Sequence, residues 1–459
     1  MINDQQPQQQ TRKPIMAATT PPAEISLYIL TYNCGLAPID IDAFASQLFS
    51  GLTTSSLPDL LILSLQEIAP IPYALIGGSF QAPYFKRFHR AVQNASQKFT
   101  NSTENDQIYS PISSRNLGMT GIMAFAKDPD AIRDIETGGV GVGLAEMGNK
   151  AAVGVRFSYH KGGSSTELTF VAAHLAAMED CWERRNEDWK SIVRGLVFSS
   201  ALADGTKSRT ELSPEGASLL SISPRDASVY KPTSHLFVAG DLNYRTSSLP
   251  PAPSDHINTF PQPSMDSSSP NHYYKLFELD QLNQERLAGR TCQGLTEAPV
   301  NFPPTYKYQL KEPFLTSDEN LSRWNWAKHR WPSWCDRVLF LDMPKWMSTS
   351  HPNAKIVPRK YTALPLLPTS DHRPVSLEVT VPIIPIPSPP DEDQDDPRSK
   401  PPFTINPDWR AQRNRARKAE LFVGFLMYYT TTTEGGSILL AMTIGTIAFY
   451  IAIRAILGM

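Results

Sequence analysis

"HRWPSWCDRVLF", residues 329–340, sets two tryptophans and a proline turn ahead of an apolar run, with Cys335 and Asp336 at the joint. The run from Asp336 to Leu341 is short, apolar and rich in β-formers, which predicts a buried strand opened by a carboxylate. The same design recurs along the chain. "EISLYILTYN" (24–33) ends on Asn33, "DLLILSLQE" (59–67) on Glu67, "ELTFVAAHL" (167–175) next to His174, and "HLFVAGDLN" (235–243) across Asp241 and Asn243. "RPVSLEVTV" (373–381) follows Asp371 and His372, and "TGIMAFAK" (120–127) and "AAVGVRFSY" (151–159) complete the set. Many continuous apolar strands with few long helices predict an α/β fold of two packed β-sheets flanked by helices. The clearest helix is "EDCWERRNEDWKSIVRGLVF" (179–198), with Trp182, Trp189, Ile192, Val193 and Leu196 near one face. Neither GxGxxG nor GxxxxGK[ST] occurs, so a fold doubly wound around nucleotide loops is not indicated.

The chain has 459 residues, with 43 Lys+Arg against 45 Asp+Glu and a net charge of −2. That balance gives no global field for a nucleic-acid duplex, so no nucleic-acid partner is expected and any polyanion must be met locally. Four scattered cysteines (Cys34, Cys181, Cys292, Cys335) form no CxxC pair, as expected of a reduced, cytosol-facing body. Residues 1–22 are polar and proline-punctuated and read as a disordered tail without the apolar run of a signal peptide. One catalytic domain over 23–382 is expected, carrying Ser/Pro-rich insertions at about 200–233 and 246–270. The Pro- and acid-rich stretch 383–408 reads as a tether. A basic and apolar juxtamembrane segment, 409–436, leads to an almost unbroken apolar run, "SILLAMTIGTIAFYIAI" (437–453), which with the residues to 459 predicts a single C-terminal membrane anchor.

The chemistry gathers at strand ends. Asn33, Glu67, His174, Asp241, Asn243, Asp336, Asp371 and His372 each close or open an apolar run. Any one alone reads as a turn or capping residue; together they point to a shared rim where strands of one sheet end. Oxygen donors without a Cys/His cluster suit a hard cation such as Mg²⁺ rather than Zn²⁺. Two histidines beside carboxylates suit phosphate binding and proton transfer.

"TYNCG" (31–35), "LQE" (65–67), "GNKAAVGVR" (148–156), "HLAA" (174–177), "RRNEDW" (184–189), "GDLNYR" (240–245), "FPPTYKY" (302–308), "PSWCDRVL" (332–339) and "SDHRPV" (370–375) stand in the order found in inositol polyphosphate 5-phosphatases. Over about 24–382 the chain resembles that family, within the wider endonuclease/exonuclease/phosphatase superfamily, and its apolar tail resembles the small tail-anchored fungal members. The resemblance implies that Glu67 ligates Mg²⁺ with Asn33 close by and Asp371 near the metal. Asp241 would orient or deprotonate the attacking water, helped by Asn243. His174 and His372 would hold the scissile phosphate, and Asp336 would orient His372. Tyr306, Lys307, Lys328 and Arg330 would meet the 4-phosphate, Lys150 would lie toward the 1-phosphate, and Tyr244 and Arg245 would complete the substrate-facing set.

Three departures from the family pattern stand out: Tyr32 in place of Trp, Ala151 and Ala152 in place of glycines after "GNK", and a long insertion after Arg245. The reading implied is a Mg²⁺-dependent phosphatase removing the 5-phosphate of phosphatidylinositol 4,5-bisphosphate at a cytosolic membrane face, by resemblance that of the endoplasmic reticulum. A soluble inositol trisphosphate 5-phosphatase and a catalytically inactive phosphoinositide-binding scaffold are the alternatives. Relatives that cleave DNA or sphingomyelin lack the elements expected to meet the 4-phosphate.

Overall fold

A computed structural model describes residues 22–103, 106–200, 223–263, 266–311, 314, 321–390 and 395–458. In chain order the strands are β1 (Glu24–Asn33), β2 (Leu60–Gln66), β3 (Ser110–Leu117), β4 (Thr120–Ala126), β5 (Ile132–Gly141), β6 (Ala151–Lys161) and β7 (Ser164–His174). There follow β8 (Ser199–Ser200), β9 (Ser234–Asp241), β10 (Leu295–Glu297), β11 (Asp336–Leu341), β12 (Val357–Ala363) and β13 (Val375–Pro382). The helices are α1 (Ile41–Gln47), α2 (Ile71–Ile76), α3 (Ala82–Thr100), α4 (Trp182–Gly195), α5 (Asp255–Asn258), α6 (Tyr273–Phe277) and α7 (Gln281–Leu287), then α8 (Trp409–Thr431) and α9 (Thr433–Leu457).

Two mixed sheets result. One runs β12-β13-β1-β2-β4-β3 and the other β10-β11-β9-β7-β6-β5-β8. Alternation along each central strand builds the layers. Leu27 and Ile29 of β1 turn inward onto Phe170, Phe237 and Phe340 of the facing sheet, while Tyr28 and Leu30 turn outward beneath Phe44 and Phe88 of α1 and α3. On the other side Val171, Val238 and Leu339 pack under Trp189, Ile192 and Val193 of α4. Strands covered on both faces must be apolar throughout, as β2 and β4 are.

All eight strands expected from the sequence form, within a few residues of their expected ends. The helix expected over 179–198 spans Trp182–Gly195, because Leu196 already has extended backbone (φ −80°, ψ 94°). Edge strands β3 and β12, together with β5, have exposed or half-buried positions that interrupt any apolar run, and they were not expected. Ala151 and Ala152 lie buried inside β6, opposite His174 and Ala173, so the two methyl groups add packing. Tyr32 is likewise buried, against Phe44 at 6.0 Å between ring centroids.

Of the expected appendages, residues 1–21, 201–222, 264–265 and 391–394 lie outside the described residues. The described part of the second insertion is packed: Phe260 stacks near Trp331 at 5.1 Å, and Trp326 Nε1 donates to the Pro261 carbonyl at 2.7 Å. The stretch read as a tether is, in its described parts, laid along the body. Ile383 and Ile386 are buried, Arg398 donates to the Asp342 carbonyl at 2.6 Å, and Asn406 N donates to the Arg194 carbonyl at 2.9 Å. Beyond α8, α9 is a candidate transmembrane span, with mean hydropathy 2.0 and no burial in its most apolar window.

Phe170 lies within the inter-sheet core, 1% exposed, with ring centroids 5.5 Å from Phe237 and 5.8 Å from Phe157 of the neighbouring strands. Phe170→Ala should destabilise the body by about 3–5 kcal/mol, measured as a lowered denaturant midpoint at constant slope. A loss below about 1 kcal/mol would show that the core closes over the gap.

Candidate active site

Strand pairing sets the site. Parallel register between β7 and β9 puts His174 beside Asp241, and antiparallel register between β9 and β11 puts Asp336 on the other side of Asp241. One row of three polar side chains therefore crosses three adjacent strands. From the facing sheet β1 delivers Asn33, whose Nδ2 donates to Asp241 Oδ2 at 2.9 Å while its Oδ1 accepts from Gly35 N at 3.0 Å. Glu67, just past β2 with φ +50°, brings Oε1 to 3.9 Å from His174 Nε2. The left-handed residue Asn243 (φ +58°) closes the turn by donating its N–H to Asp241 Oδ1 at 3.1 Å.

His372 and Asp336 form a buried pair, Nδ1 to Oδ2 at 2.8 Å. Thr305 Oγ1 donates to the same carboxylate oxygen at 2.7 Å, and Ser370 Oγ donates to the Asn33 carbonyl at 2.6 Å while accepting from His372 N at 3.1 Å. Burial alone would lower the His372 pKa, but the charges of Asp336 and Asp241 outweigh it and push it up to about 9. Burial would raise Asp241, yet the hydrogen bond from His174 and the charges of His372, His174 and Lys150 hold it well below the usual carboxylate range. Burial raises Asp336. It lowers His174, which the nearby Lys150 lowers further.

Each expected site residue can now be placed. Asn33, Glu67, His174, Asp241, Asn243, Asp336 and His372 converge on one cleft, and Asp371 borders it with Oδ1 3.8 Å from His372 Nε2. Lys150 points into this cluster, its Nζ against His174 Nε2. The Tyr306 ring lies 4.6 Å from the His372 ring and under the Arg245 guanidinium at 4.3 Å. Lys307 pairs with Asp371, and burial, which would lower its pKa, is outweighed by that hydrogen bond together with the charges of Tyr306 and Asp371, so the pKa is raised. Ala327 N donates to the Lys307 carbonyl at 2.9 Å, and Lys328, the next residue, is exposed. Arg330 is paired with Glu179 at 2.9 Å.

Tyr244 is fully buried, with its hydroxyl on Asn186 Oδ1 at 2.7 Å and Thr291 Oγ1 at 3.0 Å, so it braces α4 and presents nothing to a ligand. Arg245 is also buried and donates from Nε to the Asn243 carbonyl at 3.0 Å, which braces that turn, while its Nη1 has no partner among the described residues. Thr305, Ser370 and Glu179 were not singled out, although the first two lie inside the "FPPTYKY" and "SDHRPV" motifs.

The donors suit a hard cation. Asp241, Asp336 and His372 bring ligand-type atoms within 4.8 Å of one another, but His372 and Asp336 are bonded to each other. Glu67, with its side chain 26% exposed, accepts no hydrogen bond at its carboxylate from any described residue, and Asn33 Oδ1 keeps a second lone pair. Carboxylate and amide oxygens of this kind fit Mg²⁺ or Ca²⁺.

Because its pKa is raised from 6.5 to about 9, His372 should stay protonated through neutral pH. In chelator-treated protein its ring should titrate near 9 by NMR, and Asp336→Asn should bring that value down. The stability tied to this proton is complete below about pH 6.5 and is lost as pH rises through about 9. A ring that titrates at or below 6.5 would contradict the pairing.

A family model described as Endonuclease/Exonuclease/phosphatase family 2 matches residues 30–378. The chain is 30% identical over 273 residues to Inositol-1,4,5-trisphosphate 5-phosphatase 1 of Schizosaccharomyces pombe, covering 58% of this chain and 19% of that protein. It is 26% identical over 361 residues to Polyphosphatidylinositol phosphatase INP53 of Saccharomyces cerevisiae, covering 78% of this chain and 26% of that protein. The chain thus spans only 19% and 26% of the length of these curated relatives. Among solved structures, the inositol polyphosphate 5-phosphatase domain of SPsynaptojanin, in complex with inositol (1,4)-bisphosphate and calcium, superposes with a TM-score of 0.56 at 21% identity, over 86% of this chain and 90% of that one. At that identity the likeness is one of fold. The matched region runs from β1 to β13 and encloses every cleft residue described above, and the chain belongs to the Endonuclease/Exonuclease/phosphatase family 2.

Proposed function

We propose that this chain is a Mg²⁺-dependent phosphomonoesterase that removes the 5-phosphate of phosphatidylinositol 4,5-bisphosphate at a cytosolic membrane face. The observation that carries this reading is the His372–Asp336 pair facing ionised Asp241 in one buried cleft. The names of the relatives, a trisphosphate 5-phosphatase and a polyphosphatidylinositol phosphatase, support the substrate class. Calcium in the SPsynaptojanin structure supports a divalent cation.

Protonated His372 donates from Nε2 to a non-bridging oxygen of the scissile phosphate, with its other nitrogen fixed on Asp336. Asp241, fixed by Asn33 Nδ2 at 2.9 Å and by its own turn at Asn243 N, orients the attacking water toward phosphorus or takes its proton. The water oxygen becomes the fourth oxygen of the released phosphate, the P–O bond to inositol breaks with its electrons staying on the inositol oxygen, and of the water's two protons one ends on that oxygen and the other on the phosphate. Glu67 and Asn33 would hold the metal, which when bound neutralises charge on the phosphate oxygens. Lys307, Lys328 and Arg330 are assigned to the neighbouring 4-phosphate, on the resemblance of "PTYKY" and of the basic pair before "PSWCDR".

α9 has 25 residues, about 37 Å of helix against a hydrocarbon core of about 30 Å. We take it as a membrane anchor, with Arg415 and Lys418 on its cytosolic flank. The resemblance to tail-anchored fungal phosphatases favours the endoplasmic reticulum.

Asp241→Ala and His372→Ala should each lower kcat by at least about a hundredfold in phosphate release from a phosphoinositide panel, with lipid binding better preserved. Near-wild-type turnover in either would refute the assignment. The full-length chain should remain in the carbonate-resistant membrane pellet, and deletion of residues 433–459 should move it to the supernatant. A deleted chain that stays in the pellet would exclude α9 as the anchor.

A further inference from the structure

The segment between the body and α9 is docked. α8 lies on α2 so closely that a Cβ on Gly424 would stand 3.0 Å from Ile76 Cγ1 and 3.2 Å from Ile76 N. Tyr428 packs edge-on against Phe80 at 5.2 Å and Tyr73 at 5.9 Å. Arg417 donates to the Leu75 and Ile76 carbonyls at 2.6 and 2.7 Å, which closes the C-terminal end of α2.

At the centre of this contact is a fully buried carboxylate, Glu420, which calls for ion pairs and hydrogen bonds to offset its lost hydration. Arg413 supplies two bonds, at 2.8 and 2.6 Å, and Arg417 a third contact at 3.3 Å. The remaining partner belongs to the body: Glu420 Oε1 accepts from Gly148 N at 2.9 Å. The Gly148 carbonyl accepts from Met119 N at 2.9 Å, so the peptide is held from both sides. No side chain fits there, since a Cβ on Gly148 would come within 2.8 Å of Gly118 N. Two residues on is Lys150, whose Nζ meets His174 Nε2 in the catalytic row. A cavity of about 770 Å³ is walled by Lys150 and Ala176 on one side and by Trp409, Gln412 and Arg413 of α8 on the other.

We propose that Glu420 is a positioning residue. From the membrane-proximal helix it fixes the loop at Gly148 and thereby places Lys150 against His174, which makes α8 a working part of the catalytic unit. This inference rests on the phosphatase reading above. It also means that a chain ended after Lys418 would lose the contact, whereas one ended after Thr432 would keep it.

The test is a double-mutant cycle in the full-length chain in detergent micelles, with water-soluble short-chain phosphatidylinositol 4,5-bisphosphate as substrate. E420A should lower kcat/KM roughly tenfold, within the usual range for coupling between distant sites. K150A should also lower it, and E420A/K150A should stay within about twofold of K150A, because the two changes break one chain of contacts. E420Q, which keeps an acceptor for Gly148 N–H, should recover most of the loss. Amide hydrogen exchange across residues 147–150 should accelerate in E420A. Wild-type kcat/KM in E420A, or a loss that multiplies in the K150A background, overturns the proposal. Should E420A fail to fold, the same cycle with E420Q decides through its smaller, still non-multiplying loss. If the wild-type protein releases no phosphate, the phosphatase reading fails. Hydrogen exchange then judges the positioning role alone, and unchanged protection of 147–150 in the Glu420 variants overturns it.

Discussion

The register of β7, β9 and β11 is the constraint on which the cleft depends. His174, Asp241 and Asp336 are neighbours only because three strands are paired without a slip of even one residue. A one-residue shift would turn a side chain to the opposite face of its sheet. All three are almost wholly buried, so each ionised group needs a partner close by. Asp241 finds Asn33 across the sandwich and His174 beside it, and Asp336 finds Thr305 and His372. The Asn33–Asp241 bond also ties the end of one sheet to the end of the other, so the candidate site is at the same time a structural joint.

Much of this was legible in the sequence for a physical reason. A strand covered on both faces is apolar along its whole length, and a polar residue at its end is then conspicuous. Edge strands give no such signal: β3 and β12 are broken by exposed and half-buried positions, and the interior strand β5 is interrupted by Gly138 and Gly139. Thr305 and Ser370 escaped notice because small hydroxyl residues are common in loops, and only the folded chain shows that they hold Asp336 and His372. Tyr244 was misread for a related reason. It adjoins Asn243 in sequence, but past that left-handed residue the next side chain turns into the core.

The basic stretch 410–418 shows the limit of reading charge by position. As sequence it is a cationic flank before an apolar run. In the fold its arginines divide, Arg413 and Arg417 turning in toward Glu420 and Arg415 facing out. Counting charges could not separate the two uses, because the buried acid that makes the difference lies only a few residues further on.

Lys307 and Arg330 meet any incoming anion already neutralised, one by Asp371 and the other by Glu179. On the proposed reading such a rim acts as an ion exchanger. A phosphate that docks there displaces a tethered carboxylate and releases fewer mobile counterions than the number of basic residues suggests. The pull on a distant polyanion is correspondingly weak, and its dependence on ionic strength is shallow. On the proposed reading, discrimination rests on geometry at contact, because an anion must match a cation better than its resident carboxylate to take that place.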